Sequence, residues 1–500
     1  MANVLLITSD QHNPFFCGYA GDRLVTTPNL DRLAVRGATF TAAYTNNPIC
    51  MPARASLATG RYGSTIGSYD NGSPYDGGVT PSFGHRLREA DRVAVTFGKL
   101  HFDPEADSGF RTHLPLQAKR GYGAAIQSWA RGSARPNRIM VDHALDAAPG
   151  PSEYERYDRH TTASACRWLT EEAPRDRPWL AHVSYAHPHY PFRAPAARLP
   201  ADDVEIPLPP AWRSSDWPRN PELDARRRLT GYDEHALDED ELRRLRWVYA
   251  GMVNAVDAQI GLVLSALGES GLADETVVVY TSDHGDMLGS HGFLMKGLLY
   301  DASARVPLVM AGPGVDGDTT CETAVSLVDV FPTVLDVTGC RQTDEDRDLP
   351  GTSLLSVAGG ADDPDRAVFS EYHGPSSTAA SFMIRRGRWK FVRHLADGTP
   401  PQLFDLAADP DELDDRADEP AIEPLLAELD DELCAVVDPV ETDRRIRAEQ
   451  AALLAAADRP RPPGGGQPQR TPLGTIAAGW SVPPDEFMRA VNDAATPESP

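Results

Sequence analysis

Runs of consecutive apolar residues recur along this chain, and polar residues follow each run directly. The clearest runs cover residues 3–8, 93–97, 179–184 and 276–280. Continuous apolar runs of this length are typical of strands buried on both faces, as in a parallel sheet. Because ligand sites in such sheets form at the carboxyl ends of the strands, the polar residues after each run are candidates for a site.

Helical periodicity occupies much of the chain between and after these runs. The helices predicted from apolar spacing and from proline start signals cover residues 28–36, 53–59, 240–267, 325–337, 422–437 and 441–457. The segment 193–240 is rich in Pro, Arg, Asp and Trp and has no regular period. We therefore predict a long irregular insertion there, near the mouth of the site.

Four short strand-like runs follow a Gly- and Asp-rich stretch at 359–364. They cover residues 367–371, 381–384, 389–394 and 402–405. Their spacing predicts a small antiparallel sheet accompanied by the helix at 422–437. We divide the chain into a large α/β domain at 1–360, a C-terminal subdomain at 361–438 and a helical, Pro/Gly-rich tail at 439–500. Residues 459–474 are predicted to be flexible, and the last 26 residues to be an arm that packs on a second subunit of a homo-oligomer.

Charge and composition exclude several classes of function. The net charge of −25 opposes binding to nucleic acid or to an anionic membrane surface. The first apolar run stops at Ile7 without a basic flank, and no window of about eighteen apolar residues stands out, so we expect neither a signal peptide nor a membrane span. The six cysteines are widely scattered. We expect reduced thiols in a cytoplasmic protein.

Side chains suited to metal binding or proton transfer follow the predicted strands. They are Asp10 and Gln11 after the first run, Lys99 and His101 after the second, His187 and His189 after the third, and Asp283 and His284 after the fourth. Taken singly, each has an ordinary interpretation as a turn carboxylate, a solvated lysine or a buried histidine. Their shared position at strand ends favours a common site.

Cys50 opens the run CMPARASLATG, which ends at Gly60. Pro52 marks a helix start, so Cys50 is predicted to lie at a helix N-terminus, where free N–H groups favour negative charge. Arg54, four residues on, would point back toward the same end. The alternative is a buried cysteine before an ordinary helix.

The same run resembles the signature of the sulfatases, in which Cys-x-Pro-x-Arg is followed by Leu-x-Thr-Gly. Three more segments are similar to that family: Gly98-Lys-Leu-His101, the Ser-Asp-His-Gly-Asp-x-Leu-Gly-x-His-Gly pattern from Ser282, and Lys296 before Arg-Val-Pro-Leu. The resemblance extends to about residue 435. It implies the α/β fold of the alkaline-phosphatase superfamily, with a large mixed sheet flanked by helices and a smaller C-terminal antiparallel sheet plus helix.

The resemblance implies two cofactors. A separate formylglycine-generating enzyme would oxidise Cys50 to formylglycine, whose hydrated aldehyde is the nucleophile. One divalent metal ion would be bound, with Ca²⁺ favoured and Mn²⁺ or Mg²⁺ as alternatives. The metal ligands implied are Asp10, Gln11, Cys50, Asp283 and His284.

The resemblance also implies roles at the substrate. Arg54, Lys99 and Lys296 would surround the sulfate. Asn71, in the turn Tyr69-Asp-Asn-Gly72, could donate its amide N–H to the same anion. His189, with Lys296, would protonate the leaving oxygen, and His101 would take a proton from the second hydroxyl of the hydrate. Asp286 and His291 are expected to be structural, and His187 to support the site from behind.

These implications predict a sulfatase that hydrolyses a small organic sulfate monoester. A phosphonate monoester or phosphodiester hydrolase on the same scaffold is the alternative, favoured by Asp10-Gln11 and by Asn71. An unmodified metal-binding scaffold protein is an alternative of another class. The alcohol half of the substrate stays open: a choline-like cation would need an aromatic cage, for which Trp129, Trp212 and Trp217 are available.

Overall fold

The computed structural model describes residues 1–117 and 138–457. The predictions for Trp129, for 459–474 and for the last 26 residues therefore lie outside the described residues. The strands, in chain order from β1 to β16, are Asn3–Ser9, Ala38–Phe40, Ala43–Tyr44, Val93–Lys99, Arg111–Leu116, Ala148–Pro149, Trp179–Ser184, Arg193–Ala194, Thr276–Ser282, Leu308–Ala311, Thr319–Cys321, Val325–Ser326, Ala367–Tyr372, Ser381–Arg386, Trp389–His394 and Gln402–Asp405.

The centre of the fold is an eight-stranded mixed sheet with the order β11-β2-β10-β9-β1-β7-β4-β5. The strand β1 lies parallel to both β7 and β9, and β4 lies parallel to β7. These are the four strands predicted from the apolar runs, and nearly all of their residues are buried. Their carboxyl ends therefore meet at one edge of the sheet, as the apolar pattern predicts.

Helices cover both faces of this sheet. In chain order from α1 to α12 they are Pro28–Val35, Cys50–Thr59, Phe83–Glu89, Ile139–Leu145, Glu153–Arg167, Pro221–Thr230, Glu239–Glu269, Asp301–Ala304, Val330–Thr338, Leu354–Ala358, Glu423–Val436 and Pro439–Ala457. The apolar residues of the sheet form two large clusters with them. One cluster contains Leu6, Val279 and Phe331, and the other contains Leu5, Trp179 and Ile260.

Two predictions of secondary structure were wrong. The segment 325–337 is not one helix, because Val325 and Ser326 pair with β3 as strand β12 and a 3-10 turn follows before α9 begins at Val330. The segment 193–240 is not wholly irregular, because it contains the helix α6. Asn220 caps that helix by accepting the N–H of Glu222, and Pro221 is its first residue, which are ordinary helix-start signals.

The long helix α7 has the length and composition of a membrane span, contrary to the expectation from the sequence. Among the described residues it is the one helix that meets this criterion, with a mean hydropathy of 1.4 over its most apolar window. Of that window, 67% is buried inside the protein. Val256 and Ile260 pack into the cluster beneath the central sheet, so α7 is a core helix of this fold.

A second, antiparallel sheet follows with the strand order β13-β14-β15-β16. The helix α11 covers one face of it, where Leu429 and Leu433 pack against Phe382 and Phe391. On the other side Lys390 of β15 is fully buried and its Nζ lies 2.7 Å from Asp301 Oδ1 and 2.6 Å from Glu412 Oε1. The predicted small sheet and its helix are both present.

Candidate active site

The adjacent strands β1 and β9 bring two carboxylates to the same edge. Ser9 and Ser282 are paired at the ends of these strands, and Asp10 and Asp283 are the next residues. Asp283 is held by two backbone N–H groups, from Gln11 at 3.0 Å and from His284 at 2.9 Å, which both donate to its Oδ1. Both carboxylates are buried. The position of each follows from an apolar strand that ends one residue earlier.

Cys50 is the first residue of α2 and lies directly beside this pair. Its Sγ is 3.9 Å from Asp10 Oδ1 and 3.3 Å from His284 Nε2. His284 Nδ1 donates to the carbonyl of Gly285 at 2.9 Å, which leaves the Nε2 lone pair directed at the site. The donor atoms of Asp10, Cys50, Asp283 and His284 all lie within 4.8 Å of one another. This buried set of oxygen, nitrogen and sulfur donors fits a divalent cation.

Gln11 places a neutral side-chain oxygen against Lys296, which itself contacts Cys50. Its amide Nε2 donates to Asp286 Oδ2 at 2.5 Å, so its Oε1 is turned to the opposite side, where it accepts from Lys296 Nζ at 2.6 Å. The other oxygen of Asp286 accepts the N–H groups of Leu288 and Met295. Asp286, expected to be structural, therefore fixes which atom of Gln11 faces the site.

Arg54 holds the two carboxylates together. Its Nη2 lies 2.8 Å from Asp10 Oδ2 and its Nε 2.9 Å from Asp283 Oδ2. Its Nη1 donates to the carbonyl of Lys99 and to Ser184 Oγ. All three nitrogens are thus engaged inside the protein, so the guanidinium supports the two carboxylates.

Lys99 and His101 come from the end of β4. Lys99 Nζ lies 2.7 Å from Asp10 Oδ2. The pKa of His101 lies well below its usual range, because burial disfavours the charged ring and the cations of Lys99 and Arg54 add to this effect. His101 Nδ1 is buried and has no hydrogen-bond partner among the described residues.

Lys296 lies next to Cys50 and Gln11. Its Nζ is 3.2 Å from Cys50 Sγ and 5.7 Å from the centre of the Tyr190 ring. Burial alone would lower the pKa of Lys296, but its interactions with the neighbouring Cys50 and with the carboxylate of Asp10 outweigh burial and raise it. Lys296 therefore provides a permanent positive charge next to the thiol.

The two histidines of the loop after β7 have different surroundings. His189 Nε2 lies 3.9 Å from Asp10 Oδ1, while its Nδ1 donates to the carbonyl of Tyr190 at 2.6 Å. Burial, Lys296 and Lys99 hold the pKa of His189 well below its usual range. His187 points away from the cluster and bonds Asp158 at 2.8 Å.

The remaining candidates lie at the margin or away from the site. Asn71 accepts the backbone N–H of Met51 through Oδ1 at 3.1 Å, so it caps the helix that begins at Cys50. Trp212 and Trp217 do not form a cage for a substrate cation. Trp217 is covered by Arg227, whose guanidinium lies 5.0 Å from the ring, and Trp212 is covered by Arg213.

Burial and neighbouring charges have different net effects on the two carboxylates of the site. Burial would raise the pKa of Asp10, but the surrounding cations, Lys99 foremost, outweigh burial and hold that pKa well below its usual range. Burial and the neighbouring carboxylate of Asp10 raise the pKa of Asp283 to about 6. A divalent cation would remove this repulsion between the two carboxylates.

Sequence comparisons cover most of the chain. The model of the sulfatase family matches residues 2–340, and that of the C-terminal region of N-sulphoglucosamine sulphohydrolase matches residues 289–438. A choline-sulfatase of Rhizobium meliloti is 32% identical over 84% of this chain and 83% of its own length. Arylsulfatase K of Rattus norvegicus is 29% identical over 87% of this chain and 78% of its own.

Solved structures give the same fold. A phosphonate monoester hydrolase of Agrobacterium radiobacter superimposes with a TM-score of 0.68 at 27% identity, covering 90% of this chain and 96% of its own. A putative sulfatase from Bacteroides thetaiotaomicron superimposes with a TM-score of 0.71 at 22% identity, covering 89% and 94%. The fold is that of the alkaline-phosphatase superfamily. With a family match over more than half of its residues, this chain belongs to the sulfatase family and is a sulfuric ester hydrolase.

Proposed function

We propose that this chain hydrolyses an organic sulfate monoester with a formylglycine made from Cys50 and one divalent metal ion, Ca²⁺ in first place. The observation that supports this most directly is the position of Cys50 Sγ among the oxygen and nitrogen donors of Asp10, Asp283 and His284. An inert buried cysteine has no need of such donors, whereas a nucleophile derived from Cys50 would be oriented by a cation that they bind.

The two cofactors would supply chemistry that these side chains lack. The cation would act as a Lewis acid on a sulfate oxygen, and formylglycine would present a hydrated aldehyde as the nucleophile. Asp10, Gln11, Asp283 and His284 would bind the cation. Gln11 is neutral, so this set has the same number of ligands as one with a carboxylate at position 11 but one negative charge fewer.

The cations of the chain bind the anionic ester. Lys296, next to Cys50 Sγ, and the buried Lys99, paired to Asp10, neutralise sulfate oxygens. Fixed charges of this kind are usually the largest contribution to catalysis. Arg54 contributes indirectly, because its contacts hold the two carboxylates in place.

Two histidines transfer protons. His189 donates from Nε2 to the leaving oxygen when its ring carries both protons, since its Nδ1–H is already bonded to the carbonyl of Tyr190. The negative charge of the bound ester offsets Lys296 and Lys99, which lower the pKa of His189. His101 accepts a proton at its unpartnered Nδ1 as the product is released.

The first test is chemical and independent of turnover. An aldehyde-reactive hydroxylamine probe, applied to the protein co-produced with a formylglycine-generating enzyme, should label the peptide that contains residue 50. The variant Cys50→Ala should not be labelled. A peptide that retains its free thiol and a protein without esterase activity would instead support the unmodified scaffold.

Phosphonate hydrolysis is the second candidate, supported by the similarity to the Agrobacterium radiobacter enzyme and by Gln11 at the cluster. Turnover of an aryl sulfate and an aryl phosphonate with the same leaving group separates the two. Under the sulfatase proposal kcat/KM is higher for the sulfate. A much higher kcat/KM for the phosphonate would instead identify the chain as a phosphonate hydrolase.

A further inference from the structure

Asp158 has no role in the site as described above, yet it holds the loop that carries His189. It lies on α5 and is 2% exposed. Its Oδ1 accepts the backbone N–H of Ala186 at 2.7 Å, and its Oδ2 accepts that of His187 at 2.9 Å. Oδ2 also accepts Nδ1–H of the His187 ring at 2.8 Å. One carboxylate thus receives three hydrogen bonds from two consecutive residues.

The hydrogen bonds continue beyond the His187 ring. His187 Nε2 lies 3.3 Å from Ser152 Oγ, which in turn accepts the N–H of Glu155 at 2.9 Å. The hydroxyl proton of Ser152 is therefore free to point at Nε2, and the ring keeps its proton on Nδ1. Ser152 caps the helix on which Asp158 lies. The two ends of the network, Ser152 and Asp158, are therefore the N-cap and a residue of the same helix, α5.

The loop transmits this constraint to His189. The backbone N–H of His189 donates to the carbonyl of Ala186 at 3.1 Å, which closes a tight turn on the residue that Asp158 holds. The carbonyl of His187 accepts the N–H of Asp10 at 3.2 Å, so the same turn is bonded to the residue that follows β1. Across this turn His189 Nε2 lies 3.9 Å from Asp10 Oδ1.

We propose that Asp158 is a positioning residue for the general acid: through Ala186 and His187 it sets the place from which His189 Nε2 protonates the leaving oxygen. The proposal rests on the role of His189 under the proposed function. A displacement of a catalytic group by about 1 Å can cost roughly 10²-fold in rate, which a carboxylate with three bonds to the loop is suited to prevent.

The dependence of the rate on the leaving group distinguishes positioning from a structural contribution. An acidic phenol leaves without a proton, whereas a weakly acidic phenol needs one. We would measure kcat/KM for a series of aryl sulfates that runs from strongly to weakly acidic phenols. The variants are Asp158→Asn, His189→Gln and the double variant, with Asp176→Asn, an exposed carboxylate before β7, as the matched control.

In Asp158→Asn we expect kcat/KM to be nearly unchanged for the aryl sulfate of the most acidic phenol. For the aryl sulfate of the least acidic phenol it should fall by at least about 10-fold, with the same dependence on phenol acidity as in His189→Gln. The double variant should be no slower than His189→Gln alone, because both changes remove the same proton transfer. Asp176→Asn should match the parent across the series.

A uniform loss across the series in Asp158→Asn, or losses that multiply in the double variant, would overturn the positioning role and leave His189 as the acid. A uniform loss in His189→Gln would refute the acid assignment itself, and the role of Asp158 would fall with it.

If Asp158→Asn does not fold, His187→Gln gives the same readout, because it retains both backbone bonds to Asp158. His187→Gln is expected to show a smaller slope of the same sign, and a flat response would overturn the proposal.

Discussion

The amide of Gln11 and the carboxylate of Asp286 form a buried hydrogen bond of 2.5 Å. Because the amide nitrogen is committed to Asp286, the carbonyl oxygen of Gln11 faces the other way and accepts from Lys296 Nζ at 2.6 Å. Asp286 is also fixed, by two backbone N–H groups on its other oxygen. Asp286 therefore decides which atom Gln11, a proposed metal ligand, presents to the site.

Replacing Asp286 should weaken metal binding. In Asp286→Ala the amide of Gln11 is free to rotate and to present its N–H₂ group to the cation. Loss of a partner that orients a ligand typically costs about 10–100-fold in metal affinity. Metal titration after chelation, followed by recovery of aryl sulfate turnover, measures this. Asp316→Ala, an exposed position, is the control, and an unchanged titration midpoint in Asp286→Ala would contradict the orienting role.

Arg54→Lys should destabilise the protein most when no metal is present. A single ammonium cannot reach both Asp10 and Asp283, and breaking a buried ion pair costs roughly 3–5 kcal/mol. A bound divalent cation neutralises the same carboxylates and should recover part of that loss. Denaturant unfolding with chelator and with Ca²⁺ gives the two values.

The matched control for Arg54 is Arg61→Lys, since Arg61 pairs with a largely exposed Asp348. Such pairs contribute about 0–1 kcal/mol, so this variant should unfold like the parent. If Arg54→Lys lost no more stability than Arg61→Lys in chelator, the guanidinium would not hold the carboxylates as the geometry indicates.

The sequence predicts the position of the two carboxylates at the sheet edge better than that of the residues that support the site, and the reason is physical. Asp10 and Asp283 each follow an apolar strand, so a local pattern places both at one edge of the sheet. Asp286 and Asp158 have no such signal. Their partners lie 275 and 28 positions away along the chain, and only the folded backbone brings the groups together.

The helix α6 illustrates the opposite case. Its start signals, Asn220 and Pro221, are local and readable, but the surrounding charged and proline-rich sequence conceals the short helix. The beginning of α9 depends instead on the pairing of β12 with β3, a contact between distant segments. Local patterns therefore predict the strands and helices of the core, and tertiary contacts decide their ends.

Stability should fall in mild acid because of buried histidines. Burial lowers the pKa of His291 to about 4, and the usual value is about 6.5. Between these values the unfolded chain binds a proton that the folded ring does not, so stability decreases as the pH falls through this window. The loss for one such residue is roughly 2 kcal/mol at pH 5.

The variant His291→Gln should remove its share of this pH dependence. The free energy of unfolding, measured from pH 7 to pH 5, should decline less steeply than in the parent protein. His160→Gln alters a histidine on α5 that is only partly buried and should keep the parent slope. Equal slopes for the parent and His291→Gln would mean that the His291 ring becomes protonated within the folded protein.

Removal of helix α12 should impair the site from a distance. On α12 Gln450 Nε2 donates to Asp70 Oδ2 at 2.7 Å and to the carbonyl of His373 at 2.8 Å. The next residue after Asp70 is Asn71, which caps the helix that begins at Cys50. Arg445 donates to the carbonyl of Ser64 at 2.7 Å and holds the start of the same loop. A chain that ends at residue 438 loses both contacts, and a chain that ends at residue 457 keeps them.

We expect the shorter chain to show a raised KM for an aryl sulfate and a lower melting temperature than the chain that ends at 457. Gln450→Ala isolates the contact with Asp70 and should raise KM in the same direction by a smaller factor, since one buried hydrogen bond contributes about 1 kcal/mol. Val440→Ala, an exposed position on the same helix, should change neither quantity. If the chain that ends at 438 had the KM of the chain that ends at 457, the loop before Asn71 would hold its place without α12, and the helix would contribute to stability alone.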